Sequence, residues 1–386
     1  MTSTPPSPDR VALLVPRWPP DAGGLAGAAA RLARALSHHV PVRVIIPDPG
    51  LPLGRVAGGL EGTLEIWRFG ARTWGERQAG FEACLGARPD LGLVHAIYVS
   101  ETGRPATRAA ARLGIPCLVA ARGNDLDRDA DRPDRGPSVR EALAAADAVV
   151  GVSRALTARA RALGAARRLL TIPNGVSTTR FRPFERDPAL LERLGFPAEG
   201  AFPVVAFVGQ ARPKKGLDPM LAAFRLLRTR HPDALLWLMG GLREDGRASW
   251  EAFAAAHPED AAAVRIDAGF DPDDLPPLLA LAEVAWLPSL QDGLPNALLE
   301  ALACGLPTVA SAMGGIPDVL AEGPLEALLV PPGNAEALAA TTCWLLDQPE
   351  SWLALSELGR ERVEDAFTPE REVQAYLSLY AQLRTR

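Results

Sequence analysis

One stretch constrains this chain more than any other. Residues 284–288 form an apolar run that reads as a buried strand. A polar turn carrying Gly293 and Pro295 follows, and the next residues are rich in Ala and Leu. Pro295 suits the first turn of a helix, and Gly305 suits the position just past its end. Strand, turn and helix in that order form the unit of a doubly wound α/β sheet, which places ligands at the C-terminal ends of its strands. Two carboxylates bracket the unit: Asp292 in the turn and Glu300 about two turns into the helix. The amides of Gly293, Leu294 and Asn296 fall among the donors that a helix start leaves for an anion.

The same plan recurs along the chain. In the first half, runs at 11–16, 42–47, 64–69, 91–99, 116–121, 148–152 and 169–172 read as strands. Helical stretches at 25–36, 76–87, 103–113, 138–146 and 153–163 fall among them. That alternation predicts a parallel sheet covered on both faces. Residues 177–200, with Pro183, Pro188 and Pro197, read as a linker. The alternation then restarts, with strands at 204–208, 234–239, 264–266, 284–288, 308–310 and 328–330 and a helix at 217–230. Helices at 335–346, 351–363 and 369–383 close the chain. At 386 residues the chain exceeds one ordinary core, so two domains are expected.

Several loops carry chemistry. Gly23 and Gly24 lie between the first strand and its helix, where backbone could approach a phosphate. They match neither GxGxxG nor a P-loop, and a plain turn explains them equally well in isolation. Residues 209–216 run Gly209, Gln210, Ala211, Arg212, Pro213, Lys214, Lys215, Gly216 and concentrate positive charge just past a strand. Cations flanked by glycines suit a di- or triphosphate; a solvated basic turn is the plain alternative. Met313, Gly314 and Gly315 make a third such turn. In the first half, His95 sits inside a strand, and Arg122, Asn124 and Asp125 close the next one around Gly123. Each has an ordinary structural reading too, as a core histidine or a capped turn. Residues 127–135 alternate in charge and read as a mobile loop at the substrate end of the sheet.

Composition removes other classes. A net charge of -5 argues against a general nucleic-acid binder. Four scattered cysteines with no CxxC pair favour reduced thiols and a cytoplasmic setting over a disulfide framework or zinc site. No run reaches membrane-spanning length, and residues 1–8 do not have the pattern of a signal peptide. Peripheral contact with the inner face of a membrane stays compatible with these numbers.

Taken together, "PSLQDGLPNALLEALACGLPTVAS", "FVGQARPKKGLDPMLAAF", "TIPNGV", "GGIPDVL", the Gly23–Gly24 loop, "VHAIYVS" and "ARGNDLD" resemble the retaining glycosyltransferases of family 4, in that family's order. The resemblance implies the GT-B fold: two Rossmann-like doubly wound domains facing across a cleft. It places the N-terminal, acceptor-binding domain at 1–182 with a returning helix at 369–386, and the nucleotide-sugar domain at 183–368. It implies transfer of a sugar from a nucleoside diphosphate to an acceptor hydroxyl of a glycan, a lipid-linked or a small molecule. Residue by residue, Glu300 would bind ribose hydroxyls, Lys215 and Arg212 the diphosphate, and Asp292 the donor sugar. Gly23, Gly24, Gly209, Gln210, Gly293, Leu294, Pro295 and Asn296 would complete the donor site. His95, Arg122, Asn124 and Asp125 would line the acceptor side, with His95 counted among the catalytic groups.

No metal or other cofactor is implied. Asp125 and Asp127 match Asp-x-Asp only formally and lie in the wrong domain. The chain departs from the family pattern at Asp292 (usually Glu), Gln210 (usually basic) and Ser177 (commonly Asp). Two other classes share the implied fold: a sugar-nucleotide epimerase or phosphorylase, and a non-catalytic nucleotide-sugar binding protein.

Overall fold

A computed structural model of the chain describes residues 10–21, 23–86, 90–165, 167–196, 202–270 and 273–385. The start of the first expected domain and linker residues 197–200 lie outside the described residues. The chain divides into two compact units, Met1–Gly175 with Pro369–Arg386, and Val176–Thr368. The division falls at Gly175/Val176 rather than at 182/183.

Among its described residues the first unit holds eight strands: β1 (Arg10–Leu14), β2 (Val42–Leu53), β3 (Val56–Glu61), β4 (Leu64–Gly70), β5 (Leu91–Ile97), β6 (Cys117–Ala121), β7 (Ala148–Gly151) and β8 (Arg168–Thr171). Their order is β3-β4-β2-β1-β5-β6-β7-β8. All neighbours are parallel except β3 and β4. Apart from Arg10 and His95, strands β1, β5 and β6 are apolar on both faces and almost fully buried, as a sheet covered on both sides requires. The Pro369–Arg384 helix adds Val373, Tyr376, Leu379, Tyr380 and Leu383 to this unit's core.

Two features of this unit differ from the sequence expectation. β2 runs on past residue 47 to Leu53, and β3 joins β4 through a tight turn with Gly62 at φ 61. The Gly58–Gly59 pair lowers strand propensity, which is why the pattern of 56–61 is weak. Residues 127–135 are not a free loop. They form helical turns around Asp129, which is fully buried and accepts from Ser100 Oγ at 2.8 Å and from Arg128 and Arg135. A buried carboxylate ringed by donors pins the segment that surrounds it.

The second unit holds β9 (Val204–Val208), β10 (Leu235–Met239), β11 (Val264–Asp267), β12 (Val284–Leu287), β13 (Thr308–Ser311) and β14 (Leu329–Val330). All pairs are parallel, in the order β11-β10-β9-β12-β13-β14. Within this unit the order is 3-2-1-4-5-6, so the connection reverses direction between β9 and β12. Loops after those two strands open on the crevice where such sheets bind ligands. Trp237 and Trp286 fill the core, each with its ring N–H satisfied, on Asp267 (2.7 Å) and Thr342 (2.8 Å). Among the described residues no helix is long and apolar enough to cross a membrane.

Candidate active site

The two loops at the switch point of the second unit are built against each other. Loop 209–216 leaves β9 through Gly209 (φ 128), whose N–H donates to Met239 O at 2.7 Å. Ala211 is bridged to Leu242 and donates to Gly241 O. A short turn, Pro213–Lys215, ends at Gly216 (φ 75), which opens the Leu217–Arg230 helix. A Cβ on Gly216 would drive into the carbonyl of Pro288, at the end of β12. Glycine is therefore required twice there, for the left-handed backbone and for the close approach.

The turn after β12 closes this contact from its own side. Leu290 and Gln291 both donate their N–H to Lys214 O, at 2.9 and 3.2 Å. A third loop completes the assembly. Gly314, at φ 57, lies so close to the Asp292 carbonyl that no Cβ would fit, and Gly315 N–H donates to Gly293 O at 2.5 Å. Three turns that are far apart in sequence thus share one set of backbone contacts.

That assembly brings Lys215 and Asp292 together. The Lys215 ammonium pairs with Asp292 Oδ2, with side chains 20% and 16% exposed. Ser289 Oγ approaches the same oxygen at 3.4 Å, and Gly293 N–H donates to the other carboxylate oxygen at 3.2 Å. The pair is half-buried, so its charges are screened less than on an open surface. Arg212 is half-buried at the start of the Pro213–Lys215 turn, and Gln210 is exposed. Pro295 caps the Asn296–Ala303 helix, one position earlier than its first turn. Glu300 therefore lies a little over one turn in, half-exposed, and Gly293 and Leu294 are buried. Gly305 takes the left-handed conformation (φ 73) just past the helix end, as its place in the sequence predicts.

The first-unit candidates separate into exposed and buried groups. Gly23 (φ 120) and Gly24 are exposed where the Gly24–Ser37 helix begins. His95 is fully buried in β5, not on a solvent face. Its Nδ1 is 2.7 Å from Tyr380 Oη, and its ring packs on Tyr376 at 4.9 Å. Burial, and then the positive charge of Arg122, hold its pKa well below the usual value, so the imidazole is neutral. Arg122 is also buried: its Nη1 donates to Asn174 Oδ1 at 2.5 Å and lies 3.8 Å from Glu372. Glu372 in turn accepts from Gly175 N–H at 2.9 Å.

Asp125 is fully buried as well. It accepts from the amides of Val99 (2.9 Å), Gly123 (2.8 Å) and Arg122 (3.1 Å). Burial lifts its pKa to about 6 against those amides, which favour the carboxylate. Asn124 begins the short helix around it and is half-exposed. His95, Arg122 and Asp125 thus hold the ends of β5 and β6 and the C-terminal helix in place. Sequence patterns do not reach Glu372 or Tyr380, whose partners lie far along the chain. Tyr98 is also missed. It is the one described non-glycine residue with positive φ (79), and it stands where β5 ends at this sheet's own switch point.

Comparison with known proteins places this geometry. The family described as "Glycosyl transferase 4-like domain" matches residues 23–175, and "Glycosyl transferases group 1" matches residues 202–348. The chain belongs to glycosyltransferase family 4. An MMP alpha-(1->4)-mannosyltransferase of Mycolicibacterium hassiacum is 28% identical over 85% of this family 4 chain and 79% of its own length. A GDP-mannose-dependent alpha-(1-6)-phosphatidylinositol monomannoside mannosyltransferase of Mycolicibacterium smegmatis is 33% identical over 56% of the chain and 57% of its own. The latter match thus spans little more than half of that relative. The solved sucrose-phosphate synthase of Thermosynechococcus elongatus shares the fold of this glycosyltransferase, with a TM-score of 0.78 over 97% of the chain and 99% of its own, at 24% identity. The fold is GT-B, built from two α/β units whose sheets are parallel apart from the β3–β4 hairpin.

Proposed function

We propose that the protein transfers a sugar from a nucleoside-diphosphate sugar to an acceptor hydroxyl, keeping the anomeric configuration and using no metal. The observation that carries this reading is the meeting of Lys215 and Asp292 at the switch point of the second unit. A diphosphate arriving there would compete with Asp292 for the Lys215 ammonium. Its two charges and several oxygens make it the stronger acceptor. Release of Lys215 would leave the Asp292 carboxylate free to accept from sugar hydroxyls.

Lys215, with Arg212 in the same loop, would then neutralise the charge that grows on the departing diphosphate as the glycosidic bond breaks. Glu300 suits ribose, because a carboxylate accepts from paired hydroxyls and repels phosphate. Attack by the acceptor on the face that the diphosphate leaves, with a phosphate oxygen taking the acceptor proton, needs no protein nucleophile. The dependence on GDP-mannose named for a relative supports the donor class. Acceptor contacts are assigned to the first unit.

The test is product analysis. The protein would be incubated with a panel of nucleoside-diphosphate sugars and hydroxyl acceptors, and the glycoside's configuration read by NMR. The reading expects an acceptor-dependent product of retained configuration, at a rate that EDTA leaves unchanged. Inverted product, a covalent glycosyl group on Asp292, or loss of activity with EDTA would each contradict it. Binding of a donor with neither transfer nor slow hydrolysis would favour a non-catalytic role.

A further inference from the structure

The first unit ends its eight-stranded sheet on an open strand. Among the described residues β3 pairs with β4 alone, and all six of its residues are exposed. In an antiparallel pair alternate residues turn their N–H and C=O toward the neighbour, so the groups of the others face away from the sheet. Natural edges are commonly blunted by lysine, proline or a bulge. β3 has neither lysine nor proline. Its hairpin instead gathers exposed apolar side chains: Leu60 is 77% exposed, Leu53 70% and Val56 46%.

The charge pattern selects the occupant. Arg55 stands just before the strand and Glu61 ends it, both exposed, with only apolar residues and glycine between them. A strand that is positive at its start and negative at its end is complementary to itself when run antiparallel. Setting Gly58 against Gly58 of a second copy places Arg55 opposite Glu61 at both ends and Val56 opposite Leu60 between. Opposed residues then share a face, and no side chain crowds the axis. Glu61 already receives Arg68 of β4 at 2.6 Å and remains 41% exposed, so the second arginine would join an existing pair.

We propose that β3 is a self-pairing edge through which two copies of this chain join their sheets about a two-fold axis. The contact is isologous, so it closes at two copies. It uses the edge row of hydrogen-bonding groups and buries Val56 and Leu60 from both sides.

Light scattering coupled to gel filtration tests this on the full chain. Between about 1 and 100 μM, where a short edge contact would associate, the measured mass should rise toward twice the monomer value. Leu60→Lys and Val56→Lys should each return the monomer mass while leaving the circular dichroism spectrum unchanged, with a thermal midpoint equal to that of wild type at concentrations where both are monomers. Arg55→Glu should weaken the dimer, because it sets two carboxylates against each other at both ends of the contact. A wild-type monomer at every concentration, with the edge left to some other partner, overturns the proposal. So does a dimer that survives Leu60→Lys, or one that Arg55→Glu leaves as tight as wild type.

Discussion

Replacing Gly314 with alanine presses directly on the turn that carries Asp292. The residue sits at φ 57, where an L side chain costs about 1–2 kcal/mol. The added Cβ would also fall well inside the 3.0 Å that real Cβ atoms keep from the Asp292 carbonyl, so one of the two turns must move. Overpacking of that kind costs about 1–3 kcal/mol. The Gly315–Gly293 hydrogen bond is at risk with it, for about 1 kcal/mol. Allowing for overlap among these, the loss is about 2–5 kcal/mol. In a unit of this size that lowers the midpoint by roughly 5–15 °C.

Gly323→Ala supplies the control. Its φ is 62, yet nothing lies within 4 Å of its added Cβ, so it carries the backbone cost alone. Thermal unfolding and calorimetric titration with nucleoside diphosphates would be run on both variants. Gly314→Ala should lose more stability than Gly323→Ala, and it alone should lose nucleotide affinity. Equal losses, or wild-type affinity in Gly314→Ala, would refute the argument that the three turns form one assembly.

Other expectations are simpler. Asp125→Asn keeps one acceptor oxygen but turns an amide N–H₂ toward backbone donors, and should cost about 1–3 kcal/mol by denaturant titration; an unchanged midpoint would count against the capping role. His95 should stay neutral as pH falls through 6.5, by NMR of its ring nitrogens, because its folded-state pKa is depressed. The sign follows: the unfolded chain takes the proton first, so this group's contribution to stability is intact above pH 6.5 and declines below it by up to about 1.4 kcal/mol per pH unit. Titration of His95 at its ordinary pKa would contradict its burial. Cys84, Cys117 and Cys304 are buried and Cys343 is partly exposed, so a thiol reagent should label Cys343 first, and slowly, since burial raises its pKa. Prior labelling of Cys304 would disprove the packing around the Asn296–Ala303 helix.

Much of this was legible in the chain. Runs such as 204–208 and 284–288 are short, apolar and bounded by glycine and proline, so buried parallel strands were readable there. Pro295 and Gly305 marked the helix between them to within a residue, because their backbone preferences are local. Strand order was not legible, since it depends on which hydrophobic faces meet across long stretches of chain. The same limit hid the environment of His95, whose hydrogen-bond partner Tyr380 lies 285 residues away. Charge misled at residues 127–135: a run of Asp and Arg resembles a solvated loop until Asp129 is seen with Ser100 and Arg135 around it. At β3 the difficulty was weak propensity, with Gly58 and Gly59 in a strand that β4 holds in place. The loop cations were legible as a group, but the pairing of Lys215 with Asp292 needed the turns around Gly216 and Gly314.

Calorimetric titration of wild type and Lys215→Ala with UDP, GDP and ADP tests the donor site most directly. Charge-assisted hydrogen bonds from one ammonium contribute about 1.5–3 kcal/mol, so the variant should bind the preferred nucleotide about 10–100-fold more weakly. Wild-type affinity in Lys215→Ala, or no binding of any of the three by the wild type, would contradict a diphosphate site between Lys215 and the Asp292 turn.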